Sequence, residues 1–117
     1  MNIRRYRLAL ERMYTDRVTV QRVEKVKVSG ETKQQLVTVY TDQPCRISQK
    51  SLGTNDQTES VNNIAYETKL FAAPELEIKQ GDTLTVTRGQ ITRTYTAGEP
   101  FPYPSHQEIS IQRKTEA

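Results

Sequence analysis

A chain of 117 residues is about one domain long, and its 34% hydrophobic share lies below that of an average globular domain, which points to a thin sheet or barrel with polar excursions. Seventeen Lys and Arg against fourteen Asp and Glu leave +3, too little to mark a dedicated duplex-DNA binder. One cysteine, Cys45, excludes an intrachain disulfide and a thiolate zinc cluster, and no apolar run reaches signal-peptide or membrane-spanning length, so no membrane association is expected.

The basic charge gathers at the start. Through Val28, eight basic residues (Arg4, Arg5, Arg7, Arg12, Arg17, Arg22, Lys25, Lys27) face Glu11, Asp16 and Glu24, so this segment carries +5 and the rest of the +3 chain −2. Such a segment suits docking on an acidic surface or beside phosphates, and Arg4, Arg5, Arg7 and Arg12 are the candidate docking residues. Ile3, Tyr6, Leu10 and Met13 recur at spacings of three and four among good helix formers, which predicts a short amphipathic helix over Ile3–Met13. Its apolar stripe is expected to pack on the domain, or else to dock on a neighbouring protein.

From Arg17 the period becomes two. Val18, Val20, Val23, Val26 and Val28 outline one long strand with a slip between Val20 and Val23 that reads as a bulge, and Ser29-Gly30-Glu31 is a turn. A strand through Leu36, Val37, Val39 and Tyr40 is expected to break at Asp42-Gln43-Pro44 and resume at Cys45-Arg46-Ile47, with Cys45 and Ile47 inward.

The next segment is polar: Ser51, Leu52, Gly53, Thr54, Asn55, Asp56, Gln57, Thr58, Glu59, Ser60, Val61, Asn62 and Asn63. With Leu52 and Val61 as its only apolar residues, it has little to offset the roughly 1–2 kcal/mol of backbone entropy that ordering costs per residue. A loop of this length is usually functional or disordered.

A strand over Ile64 to Phe71 follows, and then Leu76 and Ile78 alternate toward a turn at Lys79-Gln80-Gly81-Asp82. Thr83–Arg88 and Ile91–Thr96 form a hairpin about Gly89-Gln90, the former placing Leu84 and Val86 inward. Ala97 to Pro104 holds three prolines and is expected to be irregular, and His106–Arg113 is a last strand through Ile109 and Ile111. Short strands joined by turns after one helix predict a mainly β domain, an antiparallel barrel or sandwich.

The inventory for chemistry is poor. His106 is the single histidine and has no metal-ligand partner at suitable spacing, and Cys45 sits where a small buried residue belongs, not where a thiolate would be activated by that histidine. Asp82 with Glu99, and Glu75 with Glu77, read as turn and surface carboxylates, and the five glycines stand singly, without a phosphate loop. Tyr6, Tyr14, Tyr40, Tyr66, Tyr95 and Tyr103 are scattered one per element, which favours packing over base stacking. Neither catalytic residues nor a cofactor nor a metal is assigned, and the expectation is a protein that is not an enzyme.

The order of segments carries a resemblance. After the helix come Asp16-Arg17-Val18-Thr19-Val20-Gln21-Arg22, then Pro44-Cys45-Arg46-Ile47-Ser48 before the polar tract. Glu67-Thr68-Lys69-Leu70-Phe71 precedes Ile78-Lys79-Gln80-Gly81-Asp82-Thr83-Leu84-Thr85-Val86, and Tyr95-Thr96-Ala97-Gly98-Glu99-Pro100-Phe101 leads to His106-Gln107-Glu108. Over nearly its whole length the chain resembles the head-closure, or stopper, proteins in the neck of long-tailed bacteriophages, above all those encoded by defective phage-like elements of Bacillus.

The resemblance implies a single domain, 1–117: a small antiparallel β-barrel of about six or seven strands with a helical N-terminal arm, 1–15, and one long polar loop, 51–63. It implies a subunit that is monomeric alone and joins a dodecameric ring in the virion neck after assembly in the host cytoplasm. The partners so implied are the portal-bound adaptor ring, tail proteins and, transiently, passing DNA. The tract Ser51–Asn63 would be the channel-closing loop, and its Asp56 and Glu59 would repel phosphate, as suits a gate that must let DNA through. The alternatives are another neck or tail-end ring protein, such as an adaptor or tail terminator, and a small OB-like nucleic-acid-binding module.

Overall fold

The computed structural model describes residues 3–51 and 66–114. Helix α1 (Ile3–Glu11) is followed by six strands: β1 (Asp16–Val28), β2 (Glu31–Ser51), β3 (Tyr66–Ala72), β4 (Thr83–Arg88), β5 (Ile91–Pro102) and β6 (Gln107–Arg113). All pairings are antiparallel, and the order β1-β2-β3-β6-β5-β4 closes into a barrel because β1 also pairs with β4, Val18 opposite Val86 and Val20 opposite Leu84.

Alternation builds the core. Val18 and Val20 of β1, Cys45 and Ile47 of β2, Leu70 and Ala72 of β3, Leu84 and Val86 of β4, Tyr95 and Ala97 of β5, and Ile109 and Ile111 of β6 all point inward and are buried. Two ends of the barrel differ. At one, the connection between β3 and β4 folds over the opening and drops Ile78 into the core, with Leu76 packed against it. The Gln107 side-chain amide donates to both Ala73 O and Leu76 O at 2.7 Å, and Glu77 N donates to the Tyr40 hydroxyl at 2.9 Å. Leu76 and Ile78 therefore belong to a fastened cap and not to the strand that their alternation suggests.

Two expected interruptions are absorbed inside strands. At Asp42-Gln43-Pro44 strand β2 continues: the register moves from Val18 opposite Gln43 to Val20 opposite Tyr40, Asp42 takes a φ of 54°, and its N–H donates to Thr19 Oγ1 at 3.2 Å. A bulge with one residue in the left-handed region bends the strand without ending it. Likewise β5 runs on to Pro102 past a register shift between Ala97 and Pro100. Tyr103 N donates to His106 O at 2.7 Å, so the amides of this parity face β6 and the missing donors of Pro100 and Pro102 fall on the opposite side. There β4 has already ended, opposite Thr96, and the ladder loses nothing.

The described part of the strand expected from Ile64 begins at Tyr66; Ile64 and Ala65 lie outside the described residues.

Candidate functional site

The hairpin of β1 and β2 outgrows the barrel. β1 pairs with β4 only from Arg17 to Gln21, whereas its pairing with β2 continues to Val28 opposite Glu31. Residues 22–28 and 31–37 thus form a two-stranded arm with no further strand on either edge among the described residues. The turn at its tip holds Ser29 at φ 53° and Gly30 at φ 81°, the paired left-handed conformation that matches the twist of two strands. Val23 stands opposite Leu36, and both are about half exposed, as is Val28. A radius of gyration of 16.9 Å, against about 13 Å for a compact domain of this size, reflects such extension.

The arm is anchored where it leaves the barrel. Arg22 donates through Nε to Asp82 Oδ1 at 2.9 Å and through Nη2 to Asp82 Oδ2 at 2.8 Å, while Lys79 N also donates to Oδ2 at 2.8 Å. Arg22 Nη2 reaches Glu77 O as well, at 2.8 Å, so one guanidinium ties the arm to the cap over the barrel.

Helix α1 presents a second surface. No residue of it is buried, and Ile3, Tyr6 and Leu8, with Met13 just beyond, are exposed, so the apolar stripe does not join the core. Arg7 ties the helix to Glu75 of the β3–β4 connection and also pairs with Glu11 within the helix; these partners, Glu75 first, raise the guanidinium pKa, and Arg7 lowers that of the Glu75 carboxyl. Between helix and barrel runs a groove of about 380 Å³ lined by Tyr6, Leu10, Met13 and Tyr14 on one side and Arg46, Phe71 and His106 on the other. Of the four candidate docking arginines, Arg7 is therefore engaged within the chain, and Arg4, Arg5 and Arg12 occupy exposed positions.

The polar tract leaves from the barrel end opposite the arm. Ser51 pairs with Tyr66 at the stem, and Leu52 to Asn63 lie outside the described residues.

The chemistry-bearing residues are occupied locally. His106 stacks on Tyr103 with ring centres 4.8 Å apart, and its nitrogens meet Ser105 Oγ at 3.0 Å and Glu108 Oε2 at 3.1 Å. Cys45 is fully buried, and burial pushes its thiol pKa up to about 12, the reverse of an activated nucleophile. Asp82 is bound by Arg22, and no group of three or more His, Cys, Asp or Glu among the described residues is placed to hold a metal ion. No helix among the described residues is long and apolar enough to cross a membrane.

Neither a family model nor a curated protein matches the chain. Among solved structures, the phage-like element PBSX protein xkdH from Bacillus subtilis is similar, with a TM-score of 0.52 and 12% identity over 84% of this chain and 92% of that one. The likeness is one of fold: a phage-like element encodes a protein of this architecture.

The sequence reading missed the arm. Its signals were present in the valines that continue past the slip to Val28 and in Ser29-Gly30, but nothing in them says where β4 stops.

Proposed function

We propose that this chain is a structural neck protein of a long-tailed phage or defective prophage, a subunit of a ring between the portal-bound adaptor and the tail. The observation that carries the reading is the arm together with α1: two projecting elements expose Val23, Val28, Leu36, Ile3, Tyr6 and Leu8, surface that a monomer leaves in water and that a ring of copies would cover. The order of sequence segments and the fold shared with xkdH support the same reading. In that ring, the tract Ser51–Asn63 is the element assigned to closing the DNA exit channel.

Native mass spectrometry of the purified protein with and without portal–adaptor complexes tests it. The expected result is a monomer alone and a ring added to the complexes, lost when Glu24–Lys33 is replaced by a two-residue turn in a variant whose barrel still folds. No addition to the complexes, or addition undiminished without the arm, would overturn the proposal.

A further inference from the structure

The barrel end opposite the cap is lined by charge where a barrel interior is normally apolar. Following the inward parity one step beyond the core leads from Val86 to Arg88, from Tyr95 back to Arg93, from Ile111 to Arg113, from Ile47 to Gln49, and from Leu70 back past Thr68 to Tyr66. These residues surround two adjoining cavities of about 560 and 270 Å³ that share Gln49, Arg93 and Tyr95 as a common wall. Among the described residues one carboxylate answers three arginines: Asp16, at 3.8 Å from Arg88 Nε, which also donates through Nη1 to Ile47 O at 3.4 Å. Arg93 and Arg113 have no acidic partner among the described residues.

We infer that this mouth is a binding site for phosphate oxyanions, the chemistry offered by free phosphate or by a nucleic-acid backbone. Guanidinium groups match such oxygens with paired donors, and the Gln49 amide adds a further donor. The half-exposed Tyr66 ring borders the same cavity and supplies a face on which a base stacks, a contact that a free anion does not use. The site does not depend on the neck reading: it is built at the opposite end of the barrel from the arm.

Titration calorimetry and amide chemical shifts of the whole chain at low salt, with inorganic phosphate, pyrophosphate, a short single-stranded oligonucleotide and a glutamate-rich peptide of equal charge, test the inference. Phosphate-bearing ligands should bind and shift resonances of Gln49 and Arg93, with affinity falling as salt rises. Arg93→Gln and Arg113→Gln should each weaken binding about tenfold and lower the oligonucleotide salt slope by about one. Lys27→Gln on the arm should leave both unchanged, and circular dichroism checks that each variant folds.

Tighter binding of the oligonucleotide that Tyr66→Ala selectively weakens would support the site and identify a nucleic-acid backbone. Equal affinity for pyrophosphate, indifferent to Tyr66→Ala, would support it with a free anion as ligand. Absence of binding, binding unchanged in the folded Arg93→Gln/Arg113→Gln double variant, or preference for the acidic peptide would each overturn it.

Discussion

Arg22 and Asp82 meet one residue beyond Gln21 and Thr83, the last pair of the β1–β4 ladder: the guanidinium at the root of the arm grips both oxygens of a carboxylate that is only 2% exposed, from a side chain itself 17% exposed. The pair fixes the arm at its exit from the barrel and simultaneously closes the cap through Lys79 N and Glu77 O. Breaking a buried pair from one side leaves an uncompensated charge, which costs about 3–5 kcal/mol. Arg22→Ala should approach that loss in urea denaturation, with Lys79 N retaining part of the carboxylate's stabilisation. Adding Asp82→Asn should recover part of the loss, because the stranded charge is gone; a purely additive double variant would show that the two residues act independently.

A second prediction contrasts two apolar positions one strand apart. Leu84→Ala removes a fully buried side chain from the barrel core and should cost about 2–5 kcal/mol. Val23→Ala, on the arm and 57% exposed, should change stability by about 0.5 kcal/mol or less. Equal losses in chemical denaturation would mean that the arm is folded back onto the domain.

Two glycines should fail for different reasons. A Cβ at Gly98 would lie 2.8 Å from the backbone oxygen of Ser110, inside the bulge that lets β5 pass its prolines, so Gly98→Ala must push two strands apart. Gly30→Ala meets nothing within 4 Å and strains only a left-handed φ of 81°. Hydrogen exchange should accordingly show Gly98→Ala raising exchange across β5 and β6, and Gly30→Ala raising it only in the arm.

Cys45 supplies a pH signature. In the unfolded chain the thiol loses its proton near its ordinary value of about 8.5, whereas in the barrel it holds it up to about 12. Folding is therefore fully favoured by this group below the unfolded value, and the contribution is lost as pH rises through that window. The urea midpoint of the native protein should fall more steeply between about pH 8.5 and 10 than that of Cys45→Val. At pH 8 the folded protein should resist thiol reagents that label it rapidly once unfolded.

The ion pair under α1 is a local device. Arg7 lowers the Glu75 pKa, so the contact persists above the ordinary carboxylate range and is lost as pH falls through the lowered value. Both groups are partly or largely exposed, so global stability should hardly respond. Carboxyl NMR should show Glu75 titrating at higher pH in Arg7→Gln, and amide exchange in α1 should quicken in the same variant.

Most strand interiors were legible because alternation is a property of neighbours along the chain. Val18 and Val20, Cys45 and Ile47, Leu84 and Val86, and Ile109 and Ile111 occupy the buried face that their spacing predicts. The same local logic failed at Asp42-Gln43-Pro44 and at Gly98–Pro102, where residues that disfavour a ladder sit at bulges or beside a vacant edge. Nor did the alternation of Leu76 and Ile78 reveal the cap, since period two over three residues does not distinguish a strand from a cap.

By itself, then, the amino-acid order determined a mainly β chain, one short helix and the parity of most strands, because backbone pleat and turn chemistry act between near neighbours. Only the tertiary structure decided that β1 meets β4, that β1 and β2 continue as an arm where β4 ends, and that Arg88, Arg93 and Arg113 share one mouth. Those outcomes depend on strand ends brought together by barrel closure, and separation along the chain carries no record of that distance.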